Sequence, residues 1–330
     1  MLKKRKIMNI GLRLISSFLG TLFFTLTKPV FKNTNTSKLG DYWWYGYLYW
    51  FACHYKLDKL KKKSKGFRAV KKLMANYDFF RFYNTVFHLD AVSHIVYELS
   101  QGYLPVIDDT YHVWDQFFEQ PVLPDEVARL DRSLLPVSDV EETLYTPQQI
   151  PFCKPNRVVA AKLLRDFCRL LPEPAAYIND EIHNLLDGHR VLAVVRRGTD
   201  YIGTGMSTQP KIEDMISEAR QWMERYHYDR LYLATEDERI YDQFNTAFPG
   251  RILVNKRSYY DKAMQEQNVS AIGRVHFDRE NDDYLKGLEY LSSLYILSEC
   301  QALLAGYCGA TQMALLLNDD RYERWKVFDL

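Results

Sequence analysis

Residues Val191 to Tyr201 read VLAVVRRGTDY, and this stretch decides the fold. Its first five residues are apolar and three of them are Val, which is typical of a strand buried on both faces of a parallel sheet. Arg196, Arg197 and a Gly-Thr-Asp turn that ends at Asp200 follow at once. Ligands bind at the carboxyl ends of the strands in open α/β sheets, so this turn is a candidate binding site.

Charged residues after a strand also have a plain explanation, because many strands end where the chain reaches solvent. The case for a ligand therefore depends on other strands that end in the same way. TED follows a predicted strand that ends at Ala234, and GYCGATQ follows one that ends at Ala305. Since the carboxyl ends of parallel strands share one edge of a sheet, the three turns are expected to converge.

The converging turns carry groups that suit a diphosphate. The two arginines stay charged, and each planar guanidinium can bind two phosphate oxygens. Gly306 and Gly309 lead into a predicted helix, whose N-terminus offers free N–H groups and a positive dipole to a phosphate. We therefore predict a diphosphate site at this edge of the sheet.

Hydrophobic periodicity predicts the remaining elements. The predicted strands are 104–107, 191–195, 230–234, 251–254, 302–305 and 325–330. The predicted helices are 85–100, 157–171, 178–186, 212–226, one that Thr235 caps, 285–300 and 311–317. Pro172 and Pro174 are expected to end the second helix, and the stretch from Val254 to Asp283 reads as irregular. Alternation of strands and helices predicts an α/β fold with parallel sheets.

A chain of 330 residues is too long for one ordinary core. We predict a basic and aromatic N-terminal segment over residues 1–72, an N-terminal Rossmann-like domain over 73–175 and a C-terminal domain that binds the nucleotide over 176–330.

The N-terminal segment is strongly basic. Residues 1–72 hold 17 Lys or Arg against two acids, whereas the remainder holds 26 against 40. An apolar run of about 14 residues near the start is shorter than the roughly 20 that span a bilayer. Together with the aromatic cluster at 41–55, this favours an interfacial anchor on an anionic membrane, at the cytoplasmic face. An uncleaved signal anchor and a plain core helix are the alternatives. Nucleic acid is not expected, because no recognised motif accompanies the basic residues.

The five cysteines form no CxxC pair and no Cys/His cluster with zinc spacing. Such a scattered, odd-numbered set predicts reduced, mostly buried thiols in a reducing compartment.

The three turns resemble the motifs of a known superfamily. RRGTDY after its strand resembles the H-x-R-R-G/T-D signature of GDP-fucose-dependent fucosyltransferases with the GT-B fold, which include α-1,6- and α-1,2-fucosyltransferases and protein O-fucosyltransferases. LYLATEDE resembles their second motif, LLAGYCGATQMAL resembles the third, and NDDYLKGLEYLSSLYILSEC is similar to bacterial members of glycan synthesis. The likeness covers residues 190–330 well and 85–120 weakly.

The resemblance implies an architecture and a reaction. Two Rossmann-like domains would face a cleft, and GDP-fucose or a related GDP-sugar would be the donor. Transfer would be inverting and metal-independent, with no further cofactor, to a glycan or lipid-linked acceptor. The alternatives are another nucleotide-sugar transferase of this fold and a membrane-docked binding protein without catalysis.

The resemblance also implies roles for residues of the first turn. The arginine that holds the β-phosphate falls on Arg196 when the strand is aligned and on Arg197 when RGTDY is aligned. Val194 stands where many relatives have a histidine that touches the base. This difference leaves the identity of the nucleotide undecided. Asp200 is the acid nearest the motif and is either the general base or a brace for the arginines.

In the second and third turns, Glu236 and Asp237 after Thr235 match an acidic pair whose second member reads guanine in relatives. Thr311 and Gln312 match the polar turn near the phosphates. The doublets that begin at Asp108, Asp282 and Asp319 lack the context of a metal-binding DxD motif, so no metal is expected.

Overall fold

The computed structural model describes residues 55–71, 85–108, 113–138, 152, 154–204 and 209–328. The predicted anchor and all of the aromatic cluster except Tyr55 lie outside these residues. No helix in the described ranges is long and apolar enough to cross a membrane.

The chain forms two compact units. One comprises residues 1–74, 87–110 and 120–168, and the other comprises 75–86, 111–119 and 169–330. The domain limits predicted from the sequence, with a boundary near residue 175, remain a prediction.

The described elements alternate between helices and strands. The helices are α1 (Leu57–Lys62), α2 (Thr85–Gln101), α3 (Val113–Phe117), α4 (Pro124–Val127), α5 (Lys154–Phe167), α6 (Pro172–Leu186), α7 (Thr199–Thr204), α8 (Ile212–Tyr226), α9 (Glu238–Ala247), α10 (Asp261–Glu266), α11 (Asp282–Glu299) and α12 (Gly309–Asn318). The strands are β1 (Phe67–Val70), β2 (Leu104–Ile107), β3 (Val191–Val195), β4 (Arg230–Ala234), β5 (Ile252–Leu253), β6 (Ala302–Ala305) and β7 (Arg324–Val327). The predicted α/β fold with parallel sheets is confirmed.

The first unit contains a small parallel sheet in which β1 pairs with β2. Helix α2 contributes apolar residues such as Ile95 and Leu99 to its core. The same helix buries Glu98, which lies 3.7 Å from the Arg68 guanidinium and accepts a hydrogen bond from Ser138. His94 is buried as well, and neither of its ring nitrogens has a hydrogen-bond partner.

The second unit is built on a five-stranded parallel sheet in the order β5-β4-β3-β6-β7. All five residues of β3 are buried, as the sequence predicts for a central strand covered on both faces. Leu192 and Val194 pack on one face against α8 and α9. On the other face, the Tyr232 hydroxyl of β4 lies 3.2 Å from the Ser293 hydroxyl of α11. Val194 therefore belongs to the core, where a histidine would displace apolar contacts.

Two helix boundaries differ from the sequence predictions. Helix α5 ends at Phe167, and Pro172 begins α6 instead of ending the helix before it. Proline fits the first turn of a helix because the N–H groups there have no intrahelical acceptor. Likewise, Thr235 does not cap α9; the carboxylate of Asp237 does so by accepting a hydrogen bond from the Arg239 N–H.

The stretch predicted to be irregular has a core of its own. It contains α10 and a 3-10 turn at Ile272–Arg274, with Tyr260, Ala263, Ile272 and Val275 packed together. The ammonium of Lys286 donates to the Val275 carbonyl over 2.9 Å and ties this segment to α11. The prediction of irregular structure was wrong over α10 and the 3-10 turn, because such short elements leave no long period in the sequence.

Cys168, Cys300 and Cys308 are buried free thiols, as predicted. Burial raises the pKa of each of them, which keeps these thiols protonated and unreactive at neutral pH.

Candidate functional site

The three turns singled out in the sequence begin at the same level of one sheet edge. Val195 is paired in register with Ala234 of β4 and with Ala305 of β6. The residues that follow each strand therefore emerge side by side at the carboxyl edge of the sheet.

Arg197 is held by carboxylates. Its Nη2 atom donates to Asp200 over 2.8 Å, and its Nε atom lies 3.3 Å from Glu236. The guanidinium also lies over the Tyr201 ring, 4.5 Å from the centroid. Burial alone lowers the pKa of Arg197, but Glu236 and Asp200 raise it well above its usual range. This pair is what the bracing role of Asp200 requires, while its role as general base stays a prediction.

Arg196 has a different environment. Its side chain is 5% exposed, and its Nη1 atom donates to the carbonyl of Arg197. Its Nε atom is buried without a hydrogen-bond partner. Within the described ranges no carboxylate pairs with it, and burial lowers its pKa, with only partial compensation from the charges of Glu236 and Asp237. Arg196 is thus the less compensated of the two arginine charges.

Glu236 joins the first turn to the second. Its Oε1 atom accepts hydrogen bonds of 2.8 Å from the Gly198 N–H and from the Thr199 hydroxyl. Its own carbonyl accepts from the Tyr260 N–H over 2.9 Å. Glu236 is 8% exposed. Its carboxylate connects the two turns by these hydrogen bonds.

Asp237 is almost fully buried, and both of its carboxylate oxygens accept hydrogen bonds. Arg239 binds both of its oxygens, through Nε at 2.9 Å and Nη2 at 2.6 Å. Burial raises the pKa of Asp237, but the Arg239 pair outweighs it and the net shift is downward. The Thr235 hydroxyl accepts a hydrogen bond from the Asp237 N–H and shapes the same turn. The guanine-reading role of Asp237 stays a prediction, and it would have to share the carboxylate with Arg239.

The third turn is tied to the first by Gln209. Its Oε1 atom accepts from the Arg197 N–H over 3.2 Å, and its Nε2 atom donates to the Tyr307 carbonyl over 2.9 Å. Gly306 leaves room for this side chain, since a Cβ atom there would lie 2.4 Å from Oε1. Thr311 is buried and donates to the Gly306 carbonyl over 2.7 Å. Thr311 therefore shapes the turn, while α12 begins at Gly309 as required for a phosphate site.

A pocket of about 500 Å³, including the part open to solvent, lies at this edge of the sheet. Val195, Thr235 and Glu236 line it from the strand ends, and Ala310 lines it from the first turn of α12. The lining also includes Arg197, Arg257, Lys286, Tyr290 and Ser293, whereas Arg196 is not among the lining residues.

Sequence reasoning missed Gln209, Arg257 and Lys286. Gln209 follows a polar loop, and Arg257 lies in the stretch that reads as irregular. Lys286 lies on a helix whose apolar periodicity gives no sign that one lysine ammonium is buried. Only the basic start of the stretch after β5 signals Arg257.

One group of potential metal ligands occurs in the described ranges. His276, Asp282 and Asp283 each bring one ligand atom within 4.8 Å of the others. The ammonium of Lys286 lies 3.1 Å from Asp282 and 3.0 Å from Asp283, and it already supplies the positive charge there. The expectation of a metal-independent protein is untested and stays a prediction.

Gln312 lies in the first turns of α12 and is 6% exposed. Its N–H donates to the Cys308 carbonyl. The sequence-predicted residues of all three turns are thus brought together, with Arg196 the least compensated cation among them.

No family model matches the sequence, and no curated protein matches it. Three solved structures illustrate what the fold resembles. Fucosyltransferase NodZ from Bradyrhizobium has 15% identity and a TM-score of 0.44, with coverage of 80% of this chain and 94% of that chain. A mutant of Arabidopsis thaliana FUT1 in complex with GDP has 10% identity and a TM-score of 0.44, with coverage of 96% and 79%. POFUT1 in its apo form has 10% identity and a TM-score of 0.37, with coverage of 82% and 75%. These are distant similarities, and none of them identifies the chain.

Proposed function

We propose that this chain is a glycosyltransferase that uses a nucleotide sugar, with GDP-fucose or a related GDP-sugar as donor. The observation that carries the proposal is the pair of arginines after β3. Arg197 is neutralised by Asp200 and Glu236, whereas Arg196 beside it has no paired carboxylate in the described ranges. The Nε atoms of both arginines are buried without a hydrogen bond.

The charge of Arg196 suits the chemistry of glycosyl transfer. Breaking a sugar-diphosphate bond places negative charge on the leaving β-phosphate while the sugar becomes oxocarbenium-like. A guanidinium held in place before the reaction stabilises that charge without reorganisation. Of the two alignments of the family motif, this environment favours Arg196 over Arg197 as the β-phosphate ligand.

Arg197 then acts as a positioning residue. Its pairs with Asp200 and Glu236 fix the path of the chain from Arg196 to Thr199. Gln209 and Glu236 link this turn to its neighbours. The three turns thus form one rigid rim, which is what a preorganised site requires.

Guanine as the base and fucose as the sugar are supported by the motif resemblance. Val194 is packed in the core and Asp237 is bound by Arg239, so this chain would read guanine differently from relatives. Inverting, metal-independent transfer to a glycan or lipid-linked acceptor belongs to the same proposal. A peripheral position on an anionic membrane, at its cytoplasmic face, is proposed from the basic N-terminal segment.

The proposal is tested by GDP release from GDP-fucose and by thermal shifts with GDP, UDP and CDP. We expect GDP to raise the Tm most. Arg196→Ala should lower the rate of GDP release by a factor on the order of 100, the scale of losing one donor to developing charge. Arg190→Ala is the matched control, because Arg190 precedes the opposite end of β3 and pairs with Glu323 at 3.0 Å.

Three outcomes bear on the proposal and its alternatives. A protein that binds GDP but releases none from GDP-fucose, with or without glycan acceptors, would be a binding protein. A protein whose Tm responds to no nucleotide would contradict the proposal. A response to UDP in place of GDP would support the alternative nucleotide-sugar transferase.

A further inference from the structure

Arg257 lies on the wall of the 500 Å³ pocket and is fixed there by neutral acceptors. Its Nε and Nη2 atoms donate to Asn255 Oδ1 over 3.0 and 2.7 Å. Nη2 also donates to the Ser293 hydroxyl over 2.9 Å, and Nη1 donates to the Thr235 carbonyl. These contacts use four of the five N–H donors of the guanidinium and leave one on Nη1.

The acceptors of Arg257 are themselves immobilised. The Tyr232 hydroxyl donates to Asn255 Oδ1 over 2.8 Å and lies 3.2 Å from the Ser293 hydroxyl. Asn255 is 3% exposed and donates through Nδ2 to the Glu289 carbonyl over 2.9 Å. The guanidinium is therefore held in one orientation before any ligand arrives, which lowers the entropy cost of binding.

Arg257 differs from the other charges of the pocket because it has no counter-charge. Arg197 pairs with Asp200 and Glu236, and Lys286 pairs with Asp282 and Asp283. Glu289 pairs with Arg279, so it is also neutralised. Within the described part of the chain, no carboxylate forms an ion pair with Arg257.

A second feature of the pocket also favours an anion. Ala310 lines the same cavity from the first turn of α12, a helix of 10 residues. The N–H groups of a first helical turn lack intrahelical acceptors and carry the positive end of the helix dipole. A fixed, uncompensated guanidinium and a helix N-terminus thus line one pocket.

We propose that Arg257 binds an anion, a phosphate of the nucleotide, in addition to its structural role at Thr235. The inference rests on the proposed function, because it takes the nucleotide diphosphate as the natural ligand of the site. It assigns a second cation, from outside the three turns, to the binding of that diphosphate.

The test measures binding of GDP and of inorganic pyrophosphate by calorimetry at low and high salt. Arg257→Gln should weaken the binding of both by about tenfold or more and make it less dependent on salt. Arg190→Gln is the control, because it removes an arginine charge from the same unit at a residue that precedes the opposite end of β3 and pairs with Glu323. It should leave both affinities within about threefold.

Equal losses of affinity in Arg257→Gln and Arg190→Gln, or an unchanged salt dependence in Arg257→Gln, would show that Arg257 does not bind the anion. Arg257→Lys should recover part of the affinity, because it restores the charge without the fork of donors. If wild-type protein binds pyrophosphate through Arg257 but not GDP, the anion site stands and the proposed function is wrong. If GDP binds wild type and Arg257→Gln equally well, the proposed function stands and this inference is wrong.

Discussion

Gly198 and Asp237 approach so closely that a Cβ atom at position 198 would lie 2.4 Å from Asp237 Oδ2. The carboxylate cannot move away easily, because Arg239 binds both of its oxygens. The first two turns of the site are therefore packed against each other across a glycine, and any side chain at 198 would separate them.

Gly198→Ala should lower the free energy of unfolding by about 1–3 kcal/mol, the usual cost of overpacking. It should also reduce GDP release from GDP-fucose, because Glu236 would lose its hydrogen bond from the Gly198 N–H. Thermal denaturation and the release assay measure the two effects. Gly306→Ala is the comparison: its Cβ atom would meet the Gln209 amide and, at 3.1 Å, Pro210 Cδ. It should cost less stability, because Gln209 is held by two hydrogen bonds and by no ion pair. Equal costs for both variants would show that the contact with Asp237 adjusts freely.

Arg197→Ala should destabilise the protein more than Arg196→Ala. Removing Arg197 leaves Asp200 and Glu236 buried without their cation, a situation that costs about 3–5 kcal/mol. Removing Arg196 breaks no ion pair within the described ranges, so its effect should fall on catalysis instead. Urea denaturation of both variants decides this, and a greater loss of stability in Arg196→Ala would reverse the two roles.

The sequence predicts the sheet of the second unit well, because each strand is a run of apolar residues that is followed directly by polar or glycine-rich residues. Residues 191–195, 230–234 and 302–305 form the strands predicted from them. The side chains that connect the turns could not be predicted, because a hydrogen bond such as that from Gln209 to Tyr307 leaves no pattern in the sequence. Asp237 illustrates the same limit. Its position after a strand is evident, whereas its pairing with Arg239 depends on how α9 begins.

Asp237→Asn should lower the Tm and weaken the binding of GDP and UDP by similar factors. The reason is that both oxygens of Asp237 support the turn through Arg239 and the Arg239 N–H. Calorimetry with the two nucleotides measures the ratio. A loss of about 1–3 kcal/mol confined to GDP would instead support the guanine-reading role that the motif resemblance implies. Arg239→Ala is the control, because it loosens the turn and keeps the carboxylate.

His94 should make the stability depend on pH. Burial lowers its pKa from 6.5 to about 4, so the folded protein binds fewer protons than the unfolded chain between these values. Its contribution to stability is therefore complete above pH 6.5 and is lost as the pH falls towards 4, by a few kcal/mol at most, since each pKa unit is worth about 1.4 kcal/mol. His94→Leu should flatten the curve of Tm against pH in this range. His183→Gln, at an exposed histidine, should not. An unchanged curve in His94→Leu would assign the dependence to other groups.

The basic residues of the N-terminal region should bind the protein to anionic membranes. Among the described residues, Lys59, Lys62 and Lys63 are exposed on or beside α1, and about fifteen net positive charges lie within residues 1–72. Each well-placed basic residue contributes about 1 kcal/mol near an anionic surface, so replacing these three lysines by Gln should weaken binding by roughly a hundredfold. Lys211→Gln, at an exposed lysine of the other unit, is the control. Sedimentation with phosphatidylserine-containing and neutral vesicles measures binding, and salt should reduce it. Equal binding to both vesicle types would favour a hydrophobic anchor, and no binding to either would make these residues part of the fold or of a protein interface.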